Sequence, residues 1–328
     1  MNLNDERLAR VALSTVSEPG DSVTGAMIQL VGAPATLRMI STQEPLPATI
    51  DHADGELWRA RLSPRLRDAD IERVVGESER RGLTLLTPDD ARWPASLSQL
   101  GSASPIMLWI AGSDRPLTSD SSRRVAMVGA RAATSYGEHV ASELTSELAQ
   151  GGVSIISGGA YGIDGAAHRG AIASHPGSTV AILACGLDRP YPAGNAHLFE
   201  RIVSGGGALV SELPPGSTPT RWRFMQRNRI LAALAGATIV VEAGARSGSL
   251  DIATRAHALG SPVGAVPGPI TSAASTGCHR LLRERIATVV TNAEEVRELL
   301  DSRGSTPQRA FDRAPFFASR RRATGLAL

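Results

Sequence analysis

The sequence predicts an α/β protein built on a doubly wound, mostly parallel sheet, with a small helical region ahead of it. Three observations carry this. From residue 123 onward, short β-rich runs alternate with helix-like stretches, the order that successive β–α–β units produce. The runs VAMVG, VSIISGG, TVAILACG and ATIVVEA are close to continuously apolar, as expected of parallel strands covered on both faces. The composition agrees: 42% hydrophobic, 33 Gly and 20 Pro, but only 4% aromatic. That balance suits tight turns between buried strands better than an aromatic-rich all-β fold.

Residues 1–65 read as short helices: LARVALSTV, TGAMIQLVG and APATLRMI space their apolar residues helically and are broken by Pro19, Gly20, Gly32 and Pro34. A longer polar helix is predicted near 66–82, with a short apolar stretch, LTLLT, after it. Residues 1–87 are thus expected to form an N-terminal helical domain. Pro88, Pro94, Pro105 and Pro116 punctuate the next segment, so 88–122 reads as a connector packing on the central domain. Residues 123–300 form that domain and hold the strand–helix alternation. Residues 301–328 are rich in Arg, Ser, Gly and Pro and read as a disordered tail.

Charge is unevenly distributed. All 34 basic residues are Arg, against 32 acids. The last 28 residues carry six Arg and two Asp, leaving 28 Arg and 30 acids elsewhere. A nearly neutral body argues against a protein that binds nucleic acid over its whole surface, but it leaves room for a local basic pocket. No run of 18 apolar residues and no apolar block near the start are present, so neither a membrane span nor a secretory leader is expected. Two cysteines, Cys185 and Cys278, make neither a disulfide framework nor a zinc site. The expectation is a cytoplasmic protein with no metal and no cofactor.

In an open parallel sheet, ligands bind outside the carboxyl ends of the strands. Here those ends share a chemistry. The first strand ends in Gly129 and Arg131, the second in Ser157, Gly158, Gly159 and Gly162, and a later one in Gly244, Arg246, Ser247, Gly248 and Ser249. Each turn precedes a predicted helix, so free N–H groups and positive dipole ends are expected to converge on one crevice. Gly admits a phosphate close to the backbone, Ser adds short donors, and Arg adds charge and a two-pronged fork. The first turn, GARAATSYG, is not a G-x-G-x-x-G dinucleotide fingerprint, and no G-K-[ST] of a P-loop occurs.

A second feature is TRWRFMQRNRILAALA, residues 220–235. Arg221, Arg223, Arg227 and Arg229 are interleaved with Trp222 and Phe224, and no acid is present. Guanidinium to phosphate and ring to base make a track for a single strand. Arg227, Asn228 and Arg229 are read as the N-terminus of the adjoining apolar helix, where Arg opposes the dipole unless an anion is bound. Asp164 and His168, four residues apart, read either as an acid–base or metal-ligand pair or as a structural contact within one helix. No G-x-S-x-G elbow accompanies Ser157 or Ser249.

The strings VAMVGARAATSYG, SGGAYGIDGAAHRGA, TVAILACGLDRPYPAGNAHL, SELPPG and FMQRNRILAALAGATIVVEAGARSGSLDIATRAHALGSPVGAVPG, in this order, resemble the DNA-processing protein A family (DprA, also called Smf) over residues 88–300. The helical start, with LVGAPATLRMI, is similar to the family's small N-terminal helical (SAM-like) domain. The resemblance implies an extended Rossmann-like central domain, single-stranded DNA as ligand, a homodimer, and delivery of the strand to the recombinase RecA in natural transformation. It implies no catalysis. DNA-contact positions carry over to Gly129, Arg131, Ser157, Gly158, Gly159, Arg227, Asn228, Arg229, Arg246, Ser247, Gly248 and Ser249.

Two departures stand out. Many members carry a C-terminal winged helix, and the residues after 300 are too few for one. Asp251 would also repel a phosphate placed too close to the Arg246–Ser249 turn. The competing expectation is a nucleotide-hydrolysing enzyme related to the Lonely Guy phosphoribohydrolases. The position of their catalytic Glu holds Ile252 here.

Overall fold

The computed structural model describes residues 5–302 apart from 43 and 119. The Arg-rich segment 303–328 lies outside the described residues. The described residues form nine strands: β1 (Thr84–Leu86), β2 (Leu108–Gly112), β3 (Arg124–Val128), β4 (Ser154–Ser157), β5 (Thr179–Ile182), β6 (Ala208–Ser211), β7 (Ala237–Val240), β8 (Val263–Ala265) and β9 (Thr288–Val289). Twelve α-helices accompany them: α1 (Glu6–Val16), α2 (Ser22–Ser41), α3 (His52–Leu62), α4 (Asp68–Arg80), the single turn α5 (Arg115–Thr118), α6 (Ser135–Gln150), α7 (Ile163–Ser174), α8 (Ala196–Ser204), α9 (Arg221–Leu234), α10 (Ser249–Ala258), α11 (Thr276–Arg283) and α12 (Ala293–Asp301).

All nine strands join one sheet in the order β1-β2-β6-β5-β4-β3-β7-β8-β9. The seven strands from β3 to β9 run parallel to one another, and β3 lies between β4 and β7, with Val125 opposite Ile155 and Ala237. The chain therefore winds outward from β3 to β6, returns through α9, and winds the other way through β7, β8 and β9. The point of reversal lies between β3 and β7.

The two faces bury different residues of the same strands. Val125, Met127 and Ile155 pack under α6, α7 and α12. Val128, Ile156, Val180, Ile182 and Val240 pack under α9, α10 and α11. Successive side chains point to opposite faces, and both faces are covered, so these strands read as continuous apolar runs.

Two differences from the sequence expectation concern the chain before residue 123. LTLLT becomes β1, and PIMLWIAG, read as connector, becomes β2. Strand β2 pairs antiparallel with β6, with Ile110 opposite Val210, and β1 pairs antiparallel with β2. The missed signal is the apolar run Met107–Ile110, all fully buried. Helices α1 to α4 share their core with this extension: Leu13, Met27, Leu37, Trp58 and Ile71 cluster with Met107, Trp109 and Leu209.

Helix α2 is long and apolar enough, by length and composition, to cross a membrane. It breaks at Gly32, whose φ is 80°, with Pro34 two residues on. Neither half then reaches the roughly 20 residues that a span requires, and Met27, Ala33, Leu37 and Ile40 are buried in the core.

Candidate functional site

A crevice of about 1150 Å³ opens at the carboxyl ends of β3 and β7, where the winding reverses. Open α/β sheets hold their ligands at such a reversal. Its walls are the loop Gly129–Ala132, the loop Gly244–Gly248, the first turns of α9 and α10, and Ala273–Ala274. Four guanidiniums line it, from Arg131, Arg221, Arg227 and Arg246, against two carboxylates, Asp164 and Asp251.

Of the residues predicted for the site, Gly129, Arg131, Arg227, Asn228, Arg246, Ser247, Gly248 and Ser249 line the crevice. Ser157, Gly158, Gly159 and Arg229 do not. The Ser157 hydroxyl is fully buried and donates to the Met127 carbonyl at 2.7 Å. The Gly158 carbonyl accepts from Arg227 Nη1 at 2.8 Å. A Cβ at Gly158 would lie 2.4 Å from that nitrogen, so the position is glycine because Arg227 fills the space. Gly159, at φ +71°, packs on Phe199. This turn supports the crevice floor from below.

Arg229 is a correction of a different kind. Its guanidinium is buried, donates to Glu212 at 2.6 and 2.5 Å and to the Ala103 carbonyl at 2.7 Å. It ties α9 to the end of β6 and to the segment before β2, and no anion is needed to explain it.

Helix α9 also begins earlier than the sequence suggested. Thr220 caps it, its Oγ1 accepting from Arg223 N at 3.2 Å. Arg227, Asn228 and Arg229 therefore sit in its middle, and the dipole argument passes to Arg221 and Arg223. Arg223 is paired with Glu18 at 2.9 Å. Arg221 is exposed and has no ion pair among the described residues. A cation held at the positive end of a helix is favourable only beside an anion.

The three helix N-termini are not equally free. At α6, Thr134 is the cap, and the buried Glu242 carboxylate accepts from Thr134 N at 2.9 Å and Thr134 Oγ1 at 2.6 Å. At α7, Asp164 sits in the first turn and accepts from Ala160 N at 3.3 Å. At α10, Gly248 provides no side-chain cap, and nothing lies within 4 Å of where its Cβ would be. The protein's own acids thus serve two of these ends, whereas at α10 the acceptors are the short Ser247 side chain, whose Oγ lies 3.4 Å from Ser249 N, and the Ser247 and Gly248 carbonyls. The carboxylate of Asp251, expected to repel a phosphate, is held by Arg255 Nε at 2.8 Å and Asn228 Nδ2 at 3.1 Å.

Glu242 is the residue that sequence reasoning missed. Its carbonyl accepts from Ala130 N at 2.7 Å while its carboxylate holds Thr134, so both ends of the loop bearing Arg131 are pinned by one residue. The available signal was an acid closing an otherwise apolar strand, ATIVVEA. Across the loop, Gly162 at φ +70° lets α7 approach, since a Cβ there would stand 2.4 Å from the Ala130 carbonyl.

The floor holds an opposed pair of charges. Burial pushes Asp164 above its ordinary carboxyl value of 3.8, although Arg227, the Ala160 N–H, the Ser157 hydroxyl and Arg131 all pull it down. Burial also pulls Arg227 down, while Asp164 opposes this; a guanidinium starts so high that it keeps its charge. A carboxyl raised on folding contributes stability that is complete below its ordinary value and is lost as pH rises through the raised one. Asp164→Asn is therefore expected to gain stability relative to the parent as pH rises from 4 to 8, measured by urea unfolding at each pH. A constant difference would refute the assignment.

His168 does not complete an acid–base pair with Asp164. It is fully buried, with Nδ1 2.8 Å from Thr179 Oγ1. The Thr179 hydroxyl donates to the Ile155 carbonyl, so Nδ1–H is the donor to Thr179. Burial, helped by Arg169 and Arg227, lowers the imidazole to about 3. Among the described residues, no group of three His, Cys, Asp or Glu side chains is placed to hold a metal.

The fold and site define a Rossmann-like protein with a cationic crevice at the reversal point of its sheet. The DNA recombination-mediator protein A family model matches residues 84–301. The chain is 44% identical over 301 residues to the putative DNA processing protein DprA of Mycobacterium tuberculosis, covering 88% of this chain and 73% of that one. It is 38% identical over 211 residues to DprA of Streptococcus pneumoniae, covering 63% and 71%. The X-ray structure of the S. pneumoniae protein superposes with a TM-score of 0.69 at 29% identity, covering 88% of this chain and 94% of that one. DprA of Helicobacter pylori, whose structure describes a single-stranded DNA binding mode, superposes with a TM-score of 0.59 at 28% identity, covering 67% and 96%. The chain belongs to the DNA recombination-mediator protein A family.

Proposed function

We propose that this protein binds single-stranded DNA in the crevice, protects the incoming strand, and helps load RecA recombinase in natural transformation and recombination. It acts in the cytoplasm as a homodimer, as a binding protein and not as an enzyme. The division into 1–87, 88–122 and 123–300 belongs to the same proposal. One observation carries the binding reading. Arg131, Arg221 and Arg246 line the crevice, are exposed, and have no ion pair or side-chain hydrogen bond among the described residues. Among the described residues, most of the other arginines bond to the protein's own acids and carbonyls. Three unspent guanidiniums beside the Gly248 turn at the start of α10 fit a chain of phosphates.

The competing reading, a nucleotide-hydrolysing enzyme, is not favoured. Ile252, where the resemblance places a catalytic Glu, is a buried core residue. Its neighbour Asp251 is tied to Arg255 and Asn228, which leaves no free carboxylate at that turn.

The test is a salt titration of binding to a labelled single strand and to the same sequence as duplex. Each phosphate neutralised on a single strand contributes about −0.7 to the slope of log affinity against log salt. Three to four contacts predict a slope of about −2 to −3 and a clear preference for the single strand. Equal binding to both forms, or a flat salt response, would refute the reading.

A further inference from the structure

A second cleft, of about 450 Å³, shares no lining residue with the crevice. It opens where α1 and α2 meet the segment that leads into β2, and its volume is in the range that small-molecule sites occupy. Ile28, Pro88, Trp93 and Ile106 form its apolar walls. Ile28 and Ile106 pack on the core that the N-terminal helices share with β2, and Trp93 packs on the core under α9 and α10. The cleft therefore sits on the seam between two cores.

Arg10 gives this cleft its chemistry. It lines the cleft and is only 7% exposed. Its Nε donates to Glu6 Oε1 at 2.8 Å and its Nη1 to the Ile106 carbonyl at 2.8 Å. Its Nη2 has no partner among the described residues, although a guanidinium carries two N–H donors there. Arg229, also buried, bonds through all three of its nitrogens. Unspent donors on a desolvated charge are costly. Donors are in surplus on the other walls too. The indole N–H groups of Trp58 and Trp109 donate to Thr24 Oγ1 and Ser78 Oγ, whereas that of the half-buried Trp93 meets no acceptor among the described residues. The exposed Gln29 amide is likewise unbonded. The Asp90 carboxylate is already taken, by Thr87 N at 2.7 Å, Thr87 Oγ1 at 3.1 Å and Arg7 Nη2 at 2.9 Å.

Such walls are complemented by an acceptor with an apolar body. We propose that the cleft binds a small organic monocarboxylate. Its carboxylate takes Arg10 Nη2, and its aromatic or branched part packs between Ile28, Trp93 and Ile106. Arg10 already shares its charge with Glu6, and Asp90 stands in the same lining, so a single negative charge fits and a phosphate dianion meets more repulsion than attraction. The ligand bridges α1, α2 and the segment entering β2, and it stabilises the docking of the helices on the sheet by mass action.

The test is calorimetric titration of the full chain with benzoate, phenylacetate and isovalerate, with phenylacetamide as the uncharged comparison and inorganic phosphate as the dianion. At least one acid is expected to bind saturably, about tenfold or more tighter than the amide, the factor that one charged hydrogen bond supplies. Phosphate is expected to bind more weakly than that acid. Arg10→Met is expected to abolish binding. Because that variant also deprives the Ile106 carbonyl of its donor, Gln29→Glu provides a second test at an exposed, unbonded position. It sets a like charge on the wall and is expected to weaken the acid about tenfold, while Gln29→Leu does not weaken it. Equal binding of acid and amide, a preference for phosphate, indifference to Gln29→Glu, or no saturable binding by any of the acids overturns the proposal.

The place of binding is read separately, since an organic anion has a cationic crevice to choose instead. The chain has four Trp, and their indole N–H resonances in the ¹⁵N-labelled protein are assigned through single Trp-to-Phe variants. The acid is expected to move the Trp93 resonance. Movement of the Trp222 resonance alone, in the first turn of α9, overturns the proposal. The double variant Arg131→Ala, Arg246→Ala is expected to bind the acid as tightly as the parent does, whether or not the parent binds a strand. Loss of the acid in that variant places it in the crevice and overturns the proposal too.

Discussion

The double variant Arg131→Ala, Arg246→Ala is expected to lose about 100-fold or more in single-strand affinity while unfolding at the same urea concentration as the parent. Hydrogen bonds to charged groups contribute about 1.5–3 kcal/mol each, and each decade of affinity corresponds to about 1.4 kcal/mol. Two lost contacts therefore account for two decades at the lower bound. The salt slope is expected to flatten by about 1.4, twice the contribution of one phosphate. Stability should not move, because both side chains are exposed and neither has an ion pair or side-chain hydrogen bond among the described residues. Substitutions of exposed residues without such partners usually change stability by less than about 0.5 kcal/mol. Anisotropy titrations and urea curves on the same preparations decide the matter. Unchanged affinity would move the strand out of the crevice, and a large stability loss would mean that the two Arg serve the fold.

Arg227→Ala cannot serve as this test, although it lines the same crevice. Its Nη1 donates to the Gly158 and Ile182 carbonyls at 2.8 and 2.5 Å, closing the carboxyl ends of β4 and β5. Removing it would orphan both carbonyls, so a loss of binding would be mixed with a loss of structure. The crevice is thus layered: Arg227 is bonded into its floor, while Arg131, Arg221 and Arg246 line it as exposed side chains.

That layering marks what was legible in the sequence. Continuous apolar runs and glycine turns located the parallel sheet and the end at which a site should lie. They did so because burial on both faces and strand–helix turns constrain residue type directly. What the pattern did not carry was the destination of individual polar side chains. RNR at 227–229 reads as one basic motif, but helical geometry sends Arg227 under the β4 and β5 ends, Asn228 to Asp251 and Arg229 to Glu212. Three consecutive residues point about 100° apart, and only the fold decides what each meets. Glu242 was unreadable for the related reason that its partner, Thr134, is 108 residues away. The start of β2 was lost because a proline-punctuated segment resembles a linker whether or not a sheet edge waits for it.

Arg229→Ala and Glu212→Gln are each expected to cost about 3–5 kcal/mol of folding stability, the usual penalty for leaving one member of a buried pair without the other. The side chains are 3% and 7% exposed and meet through two bonds. Arg229 also donates to the carbonyls of Ala103 and Gln226. Its loss therefore frees the segment before β2 as well as the end of β6. Against a typical domain stability of about 5–15 kcal/mol, that is roughly a fifth or more of the total. The double variant Glu212→Leu, Arg229→Met separates charge from shape. Replacing both members of a buried pair with apolar groups is often neutral or stabilising, so urea unfolding should recover most of the loss. The Gln226 carbonyl keeps its place in the α9 ladder, but the Ala103 carbonyl would lose the Arg229 donor, and the recovery should fall short of the parent by about 1–3 kcal/mol. If the crevice lies where the guanidiniums of Arg131, Arg221 and Arg246 place it, this double variant should bind a single strand with unchanged salt slope. A slope reduced by one phosphate contact would instead return Arg229 to the set of DNA ligands.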